Sequence, residues 1–265
     1  MSKRFLALAL VLMLMVGVFA GCTKQEAPVD ESSKPVDSTE VEAGDLVDGT
    51  YLVKNPVSDH GNYQMVKLEV SGGQVAEFDF NEYLSDSGEA KNPDNYAYAD
   101  GIAVIANLNE QFMDKKDLDA IDYDAVSGAT STKGSFKEIV AVALEKAAKG
   151  ETYEPVYKDG LYEAVADEDS HGWLAQVSVR VQDGQIVGVD YAELAIEDTE
   201  DAKEGDRKST DNYPYPRPME VAEELHKMII DNNGTENLDV DAITGATSTR
   251  GLVLELVDEA LSSAK

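Results

Sequence analysis

Asp124-Ala-Val-Ser-Gly-Ala-Thr-Ser-Thr132 returns 117 positions later as Asp241-Ala-Ile-Thr-Gly-Ala-Thr-Ser-Thr249, with only Val126/Ile243 and Ser127/Thr244 exchanged. Composition alone does not repeat nine residues in this way. Each copy runs into apolar residues spaced for one helix face: Phe136, Ile139, Val140, Ala143 and Leu144 after the first, Val253, Leu256, Val257, Ala260 and Leu261 after the second. The spacing predicts that both stretches sit where a loop becomes a helix N-terminus.

A helix N-terminus presents free backbone N–H groups and the positive end of the helix dipole, which suits an anion and phosphate above all. Gly128 and Gly245 permit a tight turn or the close approach of a ligand. Around them lie the hydroxyls of Ser127, Thr130, Ser131 and Thr132, and of Thr244, Thr247, Ser248 and Thr249. Ser, Thr and Asp ahead of a helix are also ordinary caps. A cap needs one hydroxyl rather than four, so the near-verbatim repetition points to function, with which capping can coexist.

Asp-x-x-(Ser/Thr)-Gly-Ala-Thr resembles the flavinylation motif of FMN-binding domains, the family that includes the flavin-carrying subunit of sodium-pumping quinone oxidoreductases. The resemblance implies that the last threonine of the motif is esterified to the phosphate of FMN by a separate FAD-dependent FMN transferase. In this chain those threonines are Thr130 and Thr247. Ser127, Gly128 and Ala129, and Thr244, Gly245 and Ala246, complete the two motifs, and Asp124 and Asp241 act as caps or in recognition by the transferase. The resemblance extends over two domains, 45–150 and 151–265. With a lipoprotein signal in front of them, the whole resembles the twin-domain flavin lipoproteins of bacterial extracellular electron transfer.

That signal is read in residues 1–21: Lys3 and Arg4, an apolar run over 5–20, then Gly21-Cys22. The run is short for a membrane span and ends on small residues, as a secretory signal does. Phe19-Ala20-Gly21-Cys22 resembles a lipobox, with Phe19 where leucine is commoner. Cys22 is the only cysteine, so lipidation there leaves neither thiol nor disulfide and stability must come from packing. Removing the signal takes away Lys3 and Arg4 and no acid, which leaves 20 basic residues against 52 acidic ones, a formal charge of -32. Such a balance argues against nucleic acid as a partner and against docking on anionic lipid by charge. Residues 22–44 are rich in Glu, Asp, Ser and Pro without an aromatic residue, and read as a disordered tether that could reach about 70 Å.

The repeat extends well beyond the motif. Asp48-Gly-Thr-Tyr51 matches Asp159-Gly-Leu-Tyr162, and His60-Gly61 matches His171-Gly172, both at an offset of 111. From Asp94-Asn-Tyr-Ala-Tyr98 and Asp211-Asn-Tyr-Pro-Tyr215 onward the offset is 117, so the second copy carries six extra residues around 197–209. Alternation of Val66, Leu68 and Val70, and of Val177, Val179 and Val181, predicts strands with one buried face. Ser71-Gly-Gly-Gln74 and Gln182-Asp-Gly-Gln185 predict hairpin turns. A helix carrying Ile102, Ile105, Leu108 and Phe112, or Val221, Ala222, Leu225, Met228 and Ile229, follows. A short extended piece over 118–123 or 238–240 then leads to the motif helix. The expected order in each copy is β-β-β-α-β-α, an α+β fold with helices packed on a mainly antiparallel sheet. The linker over 151–157 is short, which should keep the two domains close.

Other residues repeat in phase with the motif. Lys133 and Arg250, three beyond the threonine, would either lie over a phosphate ester or balance nearby acids. Tyr96, Tyr98, Tyr213 and Tyr215 would pack ahead of a helix or wall a flavin ring, and His60 and His171 would occupy turns or offer the ring a polar contact. Three histidines over two domains, with the single cysteine ahead of both, give no His/Cys cluster of metal-ligand spacing. No Gly-x-Ser-x-Gly elbow and no Walker loop is present, and no base stands near the threonines in sequence to support self-modification.

The resemblance thus implies an extracytoplasmic, lipid-anchored electron carrier with two covalent FMN groups. It would take electrons from a membrane reductase or quinol and pass them to an external acceptor, touching the cell membrane through its lipid. The alternatives are a flavin-dependent reductase of one small molecule and a flavin-free lipoprotein that binds anions at its paired helix N-termini.

Overall fold

The computed structural model describes residues 46–265; the signal 1–21, Cys22 and the tether 22–44 lie outside the described residues. Within them the chain runs β1 (Gly49–Lys54), β2 (Asn62–Ser71), β3 (Gln74–Leu84), α1 (Ala99–Lys115) and α2 (Thr130–Lys149). It then repeats the order as β4 (Gly160–Val165), β5 (Trp173–Gln182), β6 (Gln185–Ala195), α3 (Arg217–Asn232) and α4 (Thr247–Leu261). The class is α+β, with two three-stranded antiparallel sheets ordered β1-β2-β3 and β4-β5-β6.

Both predicted hairpin turns form, and the repeated Asp-Gly-x-Tyr explains part of their stability. Gly72 and Gly73, and Asp183 and Gly184, all have positive φ, the pattern of the type I′ turn that matches strand twist. The Asp48 carboxylate accepts from Gly73 N–H and that of Asp159 from Gly184 N–H, each at 2.8 Å. Each hairpin also carries a register shift at an equivalent point, Glu69/Val70 and Arg180/Val181.

The expected fourth strand does not form. Residues 116–129 follow an irregular path, and the second half has only a 3-10 turn, Val240–Ala242. Asp117 and Asp122 bond their own backbone instead, at Asp119 N–H (2.9 Å) and Asp124 N–H (3.0 Å). Short polar side chains that satisfy nearby N–H groups compete with a strand ladder, and Ile121 alone of this stretch is buried.

In the first half α1 and α2 cover one sheet face, where Val66, Leu68, Val70 and Phe80 meet Leu108, Phe112, Phe136, Ile139 and Val140. Phe136 of α2 is fully buried, with the rings of Phe80, Phe78, Phe112 and Tyr123 centred 5.0 to 6.5 Å away. Burying such a ring contributes about 2–3 kcal/mol, and it sets the seat of α2 and hence of the motif at its start. In the second half Val177, Val179, Val189, Leu225, Ile229, Val253 and Leu256 form the equivalent core.

The single buried face predicted for each sheet is only part of the pattern. Tyr63, Met65 and Tyr83, on the other face of the first sheet, join the core of the second half. Tyr63 donates to Val187 O at 2.6 Å and Gln182 to the Tyr83 hydroxyl at 3.1 Å. The halves approach closely at Gly88 and Gly188, where a Cβ on Gly188 would lie 2.3 Å from Gly88 N; a side chain there would force the halves apart. Lys54 is half-buried at the same junction, donating to Ile186 O at 3.3 Å and to Ile230 O near the end of α3, and its partial desolvation pushes its ammonium down to about 8. The predicted linker is pinned here too, Tyr153 N–H donating to Thr50 O at 2.7 Å.

One helix-to-strand staple differs between the halves. Asn109 on α1 accepts from Phe80 N–H and donates to Phe80 O, both at 2.8 Å. At the equivalent place on α3 stands His226, whose Nε2 accepts from Tyr191 N–H at 3.3 Å. Burial pushes the imidazole from 6.5 down to about 4. A folded-state value below the unfolded one means that the contribution is full above pH 6.5 and is lost as the pH falls through 4. His226→Asn should therefore fold with the staple kept, and urea unfolding should show wild type losing about 3 kcal/mol more than the variant between pH 6.5 and 4. Parallel losses would contradict the assignment.

Candidate functional site

Both motif helices begin within the repeated stretch, and in an unexpected way. Thr130 and Thr247 are the first residues of α2 and α4. The cap position belongs to Ala129 (φ 44, ψ 47) and Ala246 (φ 41, ψ 48), which make no side-chain cap bond. The hydroxyl cluster is therefore not the N-cap that a sequence reading suggests. Gly128 and Gly245 precede them at φ 84 and 81, so each helix is entered through two consecutive left-handed residues. A left-handed alanine costs about 1–2 kcal/mol, and the same strained geometry at both starts ties it to the motif.

The hydroxyls are sorted by burial. Thr130, Ser131, Thr247 and Ser248 are exposed at the helix ends, as are Ser127 and Thr244, whereas Thr132 and Thr249 are buried. Thr132 donates to Glu82 Oε1 at 2.9 Å. Asp124 and Asp241 are exposed at the head of their loops.

Lys133 and Arg250 turn back onto the loop rather than out toward a ligand. Lys133 Nζ donates to Val126 O at 2.6 Å; Arg250 donates to Val240 O at 2.7 Å and Ile243 O at 3.1 Å. Their amides also close the first helical bond, onto Ala129 O and Ala246 O. Each cation thus fastens the strained entry to its helix, a role that neither expectation named.

Each half also holds a repeated ion pair that sequence reasoning missed, and in the first half it lies beneath the motif, where Thr132 reaches Glu82. Lys91 Nζ sits 2.7 Å from Glu82 Oε2, with side chains 4% and 7% exposed. Lys208 pairs with Glu193 in the second half. The six extra residues fall inside this second pair, yet Lys91 N–H to Glu82 O and Lys208 N–H to Glu193 O are both 2.8 Å, so the insertion loops out. That change of offset between the partners hid the correspondence, although alignment of each flank separately would have revealed two repeated opposite charges.

The lysines carry the aromatic loop. Lys91 Nζ lies 4.1 Å from the centre of the Tyr96 ring; Lys208 Nζ lies 4.4 Å from Tyr213 and 4.9 Å from Trp173. Cations over ring faces attract more strongly as water is removed. Tyr98 and Tyr215 stack outward from these, ring centres at 5.4 and 5.7 Å, and are 71% and 66% exposed. Packing explains Tyr96 and Tyr213 but not this second, exposed pair.

Aromatic loop and motif loop meet in both halves. Asp100, two residues beyond Tyr98, lies 3.6 Å from the position a Cβ on Gly128 would take, and Gly128 is two residues before Thr130. Arg217 stands in the same relation to Tyr215, Gly245 and Thr247, its Nε donating to Thr244 O at 2.8 Å. His60 and His171 occupy the turns between the first two strands of each half, as the turn reading has it, with Gly61 O and Gly172 O accepting from Ser85 and Ile196 N–H. His60 lines a cavity of about 340 Å³ with Asp86, Glu223, His226 and Lys227. A second cavity, of about 300 Å³, lies beside Lys208, Met219 and His226. Among the described residues no His/Cys/Asp/Glu group is arranged for a metal ion.

Residues 172–262 match the family model described as FMN-binding domain. The match supports an FMN-binding protein, with one such domain found in the second half. A crystal structure of a protein from Clostridium perfringens is similar at 27% identity, over 41% of this chain and 93% of that one, with a TM-score of 0.35. No curated protein matches the chain. The geometry fits the group: exposed threonines at helix N-termini suit a phosphate, and exposed tyrosines across the loop contact suit a flat ring.

The buried pair makes the site testable without a ligand. Lys91→Met leaves a buried carboxylate without its cation and should cost about 3–5 kcal/mol in urea unfolding. Adding Glu82→Gln should restore more than half of it. A double variant no better than the single one would mean that the pair is not the joint between loop and helix.

Proposed function

We propose that this chain is an extracytoplasmic electron carrier, lipid-anchored through Cys22, with FMN held covalently by phosphoester bonds at Thr130 and Thr247. The observation that carries the reading is the sorting of hydroxyls at both helix starts. One threonine of each motif is buried in the fold, while the one two residues before it is exposed on the first turn of the helix, where another enzyme can reach it. The FMN-binding match to residues 172–262 supports the same cofactor.

The chain's residues divide the work. Thr130 and Thr247 supply the oxygen that forms the ester, on a donor FAD bound by a separate FMN transferase. That oxygen bonds to the FMN-side phosphorus, the anhydride bond to AMP breaks, AMP leaves with its electron pair, and the hydroxyl proton passes to a base on the transferase. The helix dipole and first-turn N–H groups favour the resulting phosphate anion. Tyr98 and Tyr215 offer exposed faces to a ring, while Lys91 and Lys208 hold the inner tyrosines in place. When bound, FMN supplies the reversible redox chemistry, and the protein positions it.

A covalent link suits a protein outside the cytoplasm, where a dissociated cofactor would be lost. Electrons would arrive from a membrane reductase or quinol and leave to an external acceptor. The first half repeats the element order, the motif and the ion pair of the second, which supports two sites rather than one.

Denaturing gels read for flavin fluorescence test this. With protein matured in a host that has the transferase, Thr130→Ala and Thr247→Ala should each remove about half of the signal under the covalent reading. The double variant should be dark, and Ser131→Ala with Ser248→Ala should keep the full signal. A fluorescent double threonine variant would refute the assignment.

A further inference from the structure

We propose that the two sites are unequal, and that the residue facing the motif glycine, Asp100 in the first half and Arg217 in the second, makes Thr247 the preferred point of flavin attachment. The inference rests on the reading of Thr130 and Thr247 as attachment sites.

Positions 100 and 217 are equivalent by the 117-residue offset, and each lies in the first turn of the helix after the tyrosine loop. Asp100 brings its Cβ and Oδ2 to 3.6 Å from the place of a Gly128 Cβ; Arg217 brings Cγ to 3.3 Å and Nε to 3.5 Å from that of Gly245. Opposite charges therefore abut two loops that are otherwise near copies.

Arg217 is also held in place. Its Nε donates to Thr244 O at 2.8 Å, and its other edge is tied to Glu224 at 2.7 Å and Glu220 at 3.3 Å. The first half has Ala103 and Asn107 where those glutamates stand. Summed over these positions the formal charge is the same in both halves, but its order is not. In the second half the guanidinium lies next to the motif with its carboxylates on the Nη edge, whereas in the first half a carboxylate itself abuts the motif. Interaction falls with distance and is screened in water, so the nearest group decides the sign felt by a phosphate.

The ring end differs in the same direction. Trp173 lies 6.2 Å from Tyr213 and beneath Lys208; Asn62 occupies the equivalent place in the first half. The second site thus adds an indole wall to the tyrosine pair, and aromatic area is the main source of affinity for a flat ring.

The test uses the full chain expressed with a limiting amount of FMN transferase, and peptide mass mapping of samples taken over time. Flavin at Thr247 should lead that at Thr130 by about threefold to tenfold, as a screened change of charge sign beside the motif loop would give. Asp100→Arg should raise early occupancy at Thr130, and Asp100→Asn, a mild change at an exposed position, should raise it by less. Arg217→Asp should lower occupancy at Thr247. Equal filling of both threonines, or an order that ignores all three substitutions, would overturn the inequality while leaving the flavin reading intact. Flavin at neither threonine would overturn both.

Discussion

The candidate site in each half is built on a lysine ammonium largely withdrawn from solvent against a glutamate of the last strand in its sheet. Lys91 and Glu82, and Lys208 and Glu193, join three segments that are distant in sequence: strand, aromatic loop and, in the first half through Thr132, the motif helix. Two charges removed from water are costly unless each has partners. The ring face of Tyr96, or of Tyr213 and Trp173, supplies further stabilisation to the ammonium. In the second half Tyr191 hydroxyl donates to Glu193 at 3.0 Å, so the carboxylate there has a different second partner. Once the pair is fixed in the first half, the tyrosines ahead of α1 and the threonine at the start of α2 have little freedom to separate.

Much of this was legible in the sequence, for physical reasons that differ by element. Strands and hairpin turns followed from period-two alternation and from Gly-Gly and Asp-Gly pairs, whose positive φ the turns require. The helix starts followed from apolar spacing behind the motif. The fourth strand was misjudged because Leu118, Ile121 and Tyr123 suggest extension, whereas the interleaved aspartates bond locally. Lys133 and Arg250 were legible as repeated but not as loop fasteners, since spacing cannot tell whether a long cation reaches outward or back. The buried pair escaped notice because an insertion separates Glu193 from Lys208 more widely than Glu82 from Lys91.

The contact between the two halves adds something that neither half has alone. The first sheet presents Tyr63, Met65 and Tyr83 on the face turned from its own helices, and this face becomes part of the other half's core. Gly88 and Gly188 permit the backbone approach, and Lys54 caps the carbonyl end of α3 across the junction. A lysine at a helix C-terminus is favoured by the dipole, and burial offsets part of that gain. The two motifs therefore belong to one compact unit, whose halves differ at positions 62/173, 100/217 and 109/226.

The account turns on whether the exposed threonine that opens each motif helix carries FMN. Intact mass measurement of the wild-type protein from its native cells, with fragment ions to locate any addition, tests this most directly. The account predicts two FMN phosphoester increments, one on Thr130 and one on Thr247. An unmodified mass, from cells shown to contain the FMN transferase, would contradict it and leave two strained helix starts without the chemistry assigned to them.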